Sequence, residues 1–172
     1  MTRKANIAGA RAAARELLKK NGVRTFPVNV EKIAKSEGAR VEYAPLDGEL
    51  SGLAHVREGV PIIGVNMLHA PSRQRFTLAH ELGHICLHRE QIESTVHVDR
   101  GSLRRDTVSS AGTDPTEIEA NAFAAELLMP ADFVEAALNG KVIDLEDDEA
   151  VAALAKRFKV SDAAMRFRLD SL

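Results

Sequence analysis

The stretch FTLAHELGHI, residues 76–85, places His80 and His84 four positions apart, with Glu81 next to the first. On a helix, residues at this spacing project from one face, so two imidazoles can converge on one zinc ion at about 2.0–2.1 Å. Glu81 lies about 100° around the helix from His80 and can reach a metal-bound water without competing for the metal. Zinc lowers the pKa of that water toward ~7, and a carboxylate can then take its proton. The pattern predicts one Zn²⁺ per chain, bound by His80 and His84, with Glu81 as the catalytic base.

The helix that carries this pattern is expected to be buried. It should begin at Pro71 or Ser72 and end at His88, and it is apolar on most sides. Two histidines and a glutamate are poorly placed in such a core unless they have polar partners. A metal ion with its bound water supplies a partner to all three side chains, which favours the metal site over an ordinary core helix.

A catalytic zinc site usually has three protein ligands, so one more is required. His88 lies eight residues past His80, about 12 Å along the helix, and one ion cannot bind both. The metzincin pattern is excluded, because Leu87 and Glu90 stand where that class has Gly and His. The remaining source is a carboxylate on a second helix, whose candidates are Glu117, followed by Glu119, and also Glu126.

Glu117 and Asn121 are four residues apart on that second helix and share one face. If Glu117 binds zinc, Asn121 is placed to hold a ligand histidine through its other ring nitrogen. The alternative for Glu117 is a capping box with Asp114, whose helix has proline at its first position. The alternative for Asn121 is an ordinary polar group on a helix surface.

We expect an α+β fold in which a small antiparallel three-stranded sheet packs against the central HExxH helix, surrounded by further helices. Residues 1–140 would form the metallopeptidase domain, and residues 141–172 a helix-turn-helix-like pair packed on the same domain. Residues 89–112 are largely polar and predict a long loop. Strands are expected around residues 41–43, 52–56 and 61–65, with a turn at Glu58-Gly59, and further helices at about 6–20, 30–36, 114–128, 131–138, 149–158 and 162–169.

The composition limits the classes of protein that remain. The 172 residues include 45% apolar and 28% charged side chains, and the formal net charge is −2. Without a basic stripe, direct nucleic-acid binding is not favoured. No apolar run approaches the ~18 residues of a membrane span. With Cys86 as the single cysteine, nothing indicates an oxidising compartment, and we expect a cytoplasmic protein.

The group that stabilises the oxyanion of peptide hydrolysis is left open by the sequence. Tyr43 and His97 are the candidates we name first. Tyr43 is the only tyrosine, although a strand tyrosine is more often part of the core. His97 lies in the polar stretch that could border a cleft. Other polar rings in the chain are His55, His69 and His88.

Two separated motifs, RFTLAHELGH at residues 75–84 and EIEANAFAAELLMP at residues 117–130, resemble the ImmA/IrrE family of metallopeptidases. The similarity extends over most of the chain, including the N-terminal helices and the tail. The resemblance implies a gluzincin-like site whose third ligand is the Glu four residues before the Asn of the second motif, here Glu117. It also implies a regulatory protease that cleaves a partner DNA-binding repressor, often encoded alongside it.

Three functional hypotheses follow. The first is a site-specific zinc-dependent endopeptidase that cleaves a protein substrate, a helix-turn-helix repressor or antitoxin-type protein. The alternative is a metal-binding regulator that acts by protein–protein contact without efficient proteolysis. The third is a DNA-binding module on the tail, where Arg166 and Arg168 share the last helix. The intact Glu81 favours the enzyme, and the nearly neutral charge favours packing over DNA contact for the tail.

Overall fold

The structure, a computed structural model, describes residues 2–100 and 114–172. The helices are α1 (Ile7–Lys20), α2 (Val30–Ser36), α3 (Pro71–Leu87), α4 (Arg89–Ser94), α5 (Pro115–Leu128), α6 (Ala131–Leu138), α7 (Asp148–Phe158) and α8 (Asp162–Asp170). The strands are β1 (Arg40–Ala44), β2 (Gly52–Arg57), β3 (Val60–Asn66) and β4 (His97–Asp99). Within the two described ranges, no helix combines the length and the apolar character that a membrane crossing requires.

Side-chain caps begin several of these helices. The Asn29 side chain accepts a hydrogen bond from the Lys32 backbone N–H, and Ser161 accepts one from Ala164. Asp114 accepts from the backbone N–H of Thr116 at 2.9 Å, and Pro115 follows as the first residue of α5. Such caps satisfy N–H groups that have no partner within the helix, so they fix the first turn.

The sheet is mixed and four-stranded, in the order β1-β3-β2-β4. Strands β2 and β3 form an antiparallel hairpin around Glu58 and Gly59, whose φ angles of 52° and 79° are left-handed, as a two-residue turn requires. Strand β1 runs parallel to β3. The predicted three-stranded antiparallel sheet is therefore wrong in the number of strands and in the direction of β1. The physical reason is that β1 pairs with β3 and not with β2. Because the chain reverses direction at the hairpin between β2 and β3, β3 runs in the same direction as β1.

The predicted long loop over residues 89–112 is also wrong in its first part, because α4 and β4 lie within it. Strand β4 pairs antiparallel with β2, so that His97 lies opposite Ala54 and Asp99 opposite Gly52. Residues 101–112 of the same stretch lie outside the described residues. The short strand uses the backbone groups that β2 leaves free on its outer side, and it brings two polar side chains to the sheet edge.

Helix α3 lies between the sheet on one side and α1 and α5 on the other, and every residue from 77 to 85 is buried. Two glycines permit this close packing. A Cβ on Gly52 of β2 would lie 2.5 Å from Cγ2 of Thr77, and a Cβ on Gly83 would lie 3.0 Å from the ring of Phe123 on α5. Side chains at these positions would push apart the elements that form the candidate site.

The C-terminal helices are bound to the core through arginines. Arg168 is buried, forms an ion pair with the buried Glu126 and donates to the Met129 carbonyl at 2.9 Å. Arg166 donates to the Leu145 carbonyl and pairs with Asp148. Both arginines are thus engaged within the fold, which favours the packing interpretation of the tail over DNA contact. The proposed division at residue 140 stays a prediction.

Candidate metal centre

Helix α3 presents His80, Glu81 and His84 within the core, where they are 3%, 0% and 1% exposed. The Nε2 atoms of the two histidines lie 3.2 Å apart. Because the residues are one helical turn apart, both imidazoles reach the same point from one face. Local helical geometry alone therefore produces the first half of the site.

Helix α5 supplies the acidic half. Glu117 places Oε2 at 3.2 Å from Nε2 of His80 and Oε1 at 3.0 Å from Nε2 of His84. The contact between Gly83 and Phe123 sets the close approach of the two helices. The N-terminal cap of α5 comes from the Asp114 side chain, while the Glu117 carboxylate faces the histidines. The alternatives Glu119 and Glu126 contact other partners.

The three side chains fit a metal ion. A tetrahedral ion bound at about 2.0–2.1 Å spaces its ligand atoms about 3.3 Å apart. The three measured separations, 3.0 to 3.2 Å, are close to that spacing. Together with His97, the ligand atoms of His80, His84 and Glu117 all lie within 4.8 Å of one another. This cluster can hold a metal ion, and imidazole with carboxylate is a donor set that zinc accepts.

Asn121 contacts one of these histidines from the outside. Its Oδ1 lies 2.9 Å from Nδ1 of His80. An amide oxygen only accepts, so this contact assigns a proton to Nδ1 of His80, and Nε2 is the nitrogen that faces the cluster. The structure thus brings Asn121 to the place that the sequence analysis proposed for it.

Glu81 is wholly buried beside the histidines. Its Oε2 lies 3.0 Å from Nδ1 of His97, and its Oε1 has no hydrogen-bond partner among the described residues. Burial raises the pKa of Glu81, and the hydrogen bond from His97 opposes the shift. A buried carboxylate oxygen without a partner is costly, and a bound water would satisfy it.

Strand β4 brings His97 to the open side of the cluster. Its Nε2 lies 2.7 Å from Oε1 of Glu117, and its ring stacks obliquely on His84 with centroids 3.9 Å apart. Burial lowers the pKa of His97, but the hydrogen bonds to Glu117 and Glu81 outweigh it and raise the value to about 10. Asp99, two residues on, also has a carboxylate oxygen within 4.8 Å of His80 and Glu81 ligand atoms.

The pKa values of His80 and His84 shift in opposite directions. Burial lowers the pKa of His80, but the hydrogen bond to Glu117 and the charge of Glu81 outweigh it and raise the value to about 9. Burial lowers the pKa of His84 to about 4, and the positive charges of His80 and His97 add to that effect. Burial raises the pKa of Glu117, yet hydrogen bonds from the histidines bring it far below its usual range.

Tyr43, the other candidate for oxyanion stabilisation, is not brought to the cluster. It is an exposed residue of β1, and its hydroxyl lies 3.3 Å from Glu31. The tyrosine therefore stays a sequence-based prediction without a contact that supports it.

A second buried pair, His88 and Glu119, was not predicted from the sequence. His88 contacts His84 through the two Nδ1 atoms at 3.0 Å, and its Nε2 lies 2.7 Å from Oε2 of Glu119. Burial raises the pKa of Glu119, but hydrogen bonds from Arg3, the Asn6 backbone and His88 lower it to about 2. The available signal was the repeat of histidines at positions 80, 84 and 88, which share one face of α3.

Comparisons with known proteins place this chain in a family and find a structural neighbour. Residues 34–170 match the family model described as Peptidase_M78, IrrE N-terminal-like domain. A solved structure titled Mycobacterium tuberculosis transcriptional regulator has a TM-score of 0.56 at 20% identity, over 92% of this chain and 45% of that one. The present chain thus spans less than half of that regulator, and the likeness concerns the fold. None of the curated proteins matches the sequence.

Both motifs lie within the matched residues. The candidate metal ligands His80, His84 and Glu117 lie within them as well. The match covers well over half of the chain, and it agrees with the resemblance that the two motifs carried. The earlier expectation of an ImmA/IrrE relationship is therefore confirmed. From residue 34 to residue 170, this chain belongs to the Peptidase_M78 family of IrrE N-terminal-like domains.

Proposed function

We propose that this protein is a zinc-dependent endopeptidase that acts on a protein substrate. The observation that carries the proposal is the position of Glu81, a buried carboxylate beside the His80/His84/Glu117 cluster with Oε1 unpartnered among the described residues. A purely structural metal site has no need of such a group, because structural zinc is closed by four protein ligands.

The proposed ligands are His80, His84 and Glu117, with one zinc ion per chain. When bound, zinc supplies Lewis-acid polarisation of a carbonyl and lowers the pKa of a coordinated water toward ~7. Asn121 orients His80 because its Oδ1 accepts a hydrogen bond from the Nδ1–H of that ring. Elemental analysis of the purified protein would show whether zinc or a related divalent ion with the same ligand preference occupies the site.

Glu81 is the proposed base. Its Oε2 is held by His97, so Oε1 is the oxygen that takes a proton from the attacking water and later returns it to the leaving amine. His97 is the proposed stabiliser of the developing oxyanion, because its Nε2 lies beside the cluster, 2.7 Å from Glu117, and an N–H there would turn from Glu117 to the oxyanion. These roles are proposals drawn from contacts in the described residues.

The proposed substrate is a helix-turn-helix repressor or antitoxin-type protein, cleaved at a specific site in the cytoplasm. This choice follows from the family resemblance. The structural neighbour titled a transcriptional regulator shares the fold of this chain, and its title agrees with a regulatory role. A repressor gene beside the gene for this chain would identify the protein to use in the assay.

The test is Glu81→Gln, which preserves the size of the side chain and removes the base. We expect the variant to retain zinc and to cleave the partner repressor about 10²–10⁴-fold more slowly. The matched control is Glu93→Gln on α4, where the carboxylate is exposed and paired with Arg89. Derepression without cleavage, equal in the parent and in Glu81→Gln, would instead establish the contact-based regulator.

A further inference from the structure

A line of buried hydrogen bonds runs from His84 away from the metal cluster. Nδ1 of His84 lies 3.0 Å from Nδ1 of His88, and Nε2 of His88 lies 2.7 Å from Oε2 of Glu119. His88 and Glu119 are both buried, which is costly for polar groups unless each one is satisfied. Nothing in the chemistry proposed for Glu81 uses these two residues.

The contacts permit one consistent placement of protons. Nε2 of His84 faces Glu117 and His80, so a metal bound there leaves the proton of His84 on Nδ1. The Nδ1–H of His84 donates a hydrogen bond to Nδ1 of His88. His88 then carries its own proton on Nε2, and this N–H donates a hydrogen bond to the Glu119 carboxylate. The arrangement orients both rings and satisfies every buried nitrogen. It extends the usual carboxylate–histidine–metal arrangement by one imidazole.

The N-terminal segment, residues 3–6, holds the far end of this line. The Asn6 backbone N–H donates to Oε1 of Glu119 at 2.8 Å. The Arg3 guanidinium contacts both carboxylate oxygens, at 2.9 and 3.0 Å. This segment precedes residues 34–170, the part of the chain that the family model matches. Because the Arg3 guanidinium contacts both oxygens, it holds the orientation of the Glu119 carboxylate, as bidentate pairs do, and the Asn6 N–H adds a third contact.

We propose that His88 and Glu119 are positioning residues for His84, and that the N-terminal segment completes this support, so that metal affinity depends on Arg3. The inference rests on the proposed function, since it requires a metal at His84. Loss of such outer contacts typically weakens metal binding about 10–100-fold. Removal of the Glu119 carboxylate leaves the His88 N–H without an acceptor, and the His84 ring is then free to rotate.

The test measures zinc affinity by competition with a chelator at pH 7, and the visible spectrum of the cobalt(II)-substituted protein, which reports ligand geometry. We expect Glu119→Ala and His88→Leu to weaken zinc binding about 10–100-fold and to alter the cobalt spectrum. Glu119→Gln keeps an oxygen that accepts from His88, so it should recover much of the lost affinity. Circular dichroism checks that each variant is folded.

Arg3→Ala carries the test if the core variants fail to fold. Its matched control is Arg15→Ala: the two arginine side chains are 56% and 54% exposed, and each pairs with a buried glutamate of α5, Glu119 or Glu126. We expect weaker zinc binding in Arg3→Ala and parent affinity in Arg15→Ala. Parent zinc affinity in Arg3→Ala, and in Glu119→Ala and His88→Leu where they fold, with unchanged cobalt spectra, would overturn this inference alone. A parent protein that binds no zinc would overturn the proposed function as well.

Discussion

Replacement of Gly52 by alanine should destabilise the protein by a predictable amount. The added Cβ would lie 2.5 Å from Cγ2 of Thr77 and 2.6 Å from the Gly64 carbonyl oxygen. Carbon atoms in contact prefer about 3.5–4.0 Å, so β2 and α3 must separate by roughly 1 Å. Overpacking of this kind costs about 1–3 kcal/mol. At about 2–4 °C per kcal/mol for a chain of this size, Tm should fall by about 2–12 °C.

The assay is thermal unfolding of metal-free protein, followed by circular dichroism. Gly48→Ala is the control, because a Cβ there meets nothing within 4 Å, and its effect should stay within about 0.5 kcal/mol. Addition of Thr77→Ser to Gly52→Ala removes the Cγ2 contact and should recover part of the loss, while the contact with the Gly64 oxygen remains. Parent-like stability of Gly52→Ala would refute the close approach of strand and helix described above.

Three further predictions concern the metal and the tail. Asn121→Ala should weaken zinc binding about 10–100-fold, measured by chelator competition, and parent affinity would contradict its role in orienting His80. Glu117 and Glu81 outweigh burial and raise the pKa of His80 to about 9, so zinc binding at pH 7 should release a proton and strengthen as pH rises toward that value. Calorimetry in buffers of different ionisation enthalpy measures this proton release. Zinc binding without proton release would show that the His80 ring is already neutral at pH 7 and would contradict the prediction. Arg168→Leu removes the buried partner of Glu126 and leaves the exposed Arg15 at 3.6 Å; it should cost about 3–5 kcal/mol in urea unfolding, and an unchanged midpoint would show that the buried pair contributes nothing.

The parts of the fold that local chemistry determines were predictable from the sequence. The helical spacing of His80 and His84, the proline at the first position of α5 and the turn at Glu58-Gly59 depend on residues close together in the chain. The helix boundaries of α3 and α6 were also anticipated to within one residue. Short-range periodicity and turn chemistry carry this information directly.

Features that depend on distant packing were missed or left open. The direction of β1 follows from the insertion of β3 beside it, and alternation within a strand is the same for either direction. Strand β4 is three residues long and lies in a polar stretch, so it gives no periodic signal. The choice among the acidic residues of α5 required knowing which face of that helix packs on α3, and residue spacing alone left Glu117 and Glu119 as competitors.

The two-helix origin of the ligand set has a consequence for the unfolded chain. His84 and Glu117 are 117 − 84 = 33 residues apart in sequence, on α3 and α5. A metal bound by both acts as a removable cross-link that closes a loop of this length. By the chain-entropy relation used for disulfides, closure of such a loop corresponds to about 3–4 kcal/mol of lost unfolded-state entropy. Because Cys86 is its single cysteine, the protein has no internal disulfide; the proposed metal would give it a cross-link that depends on metal availability and not on the redox state.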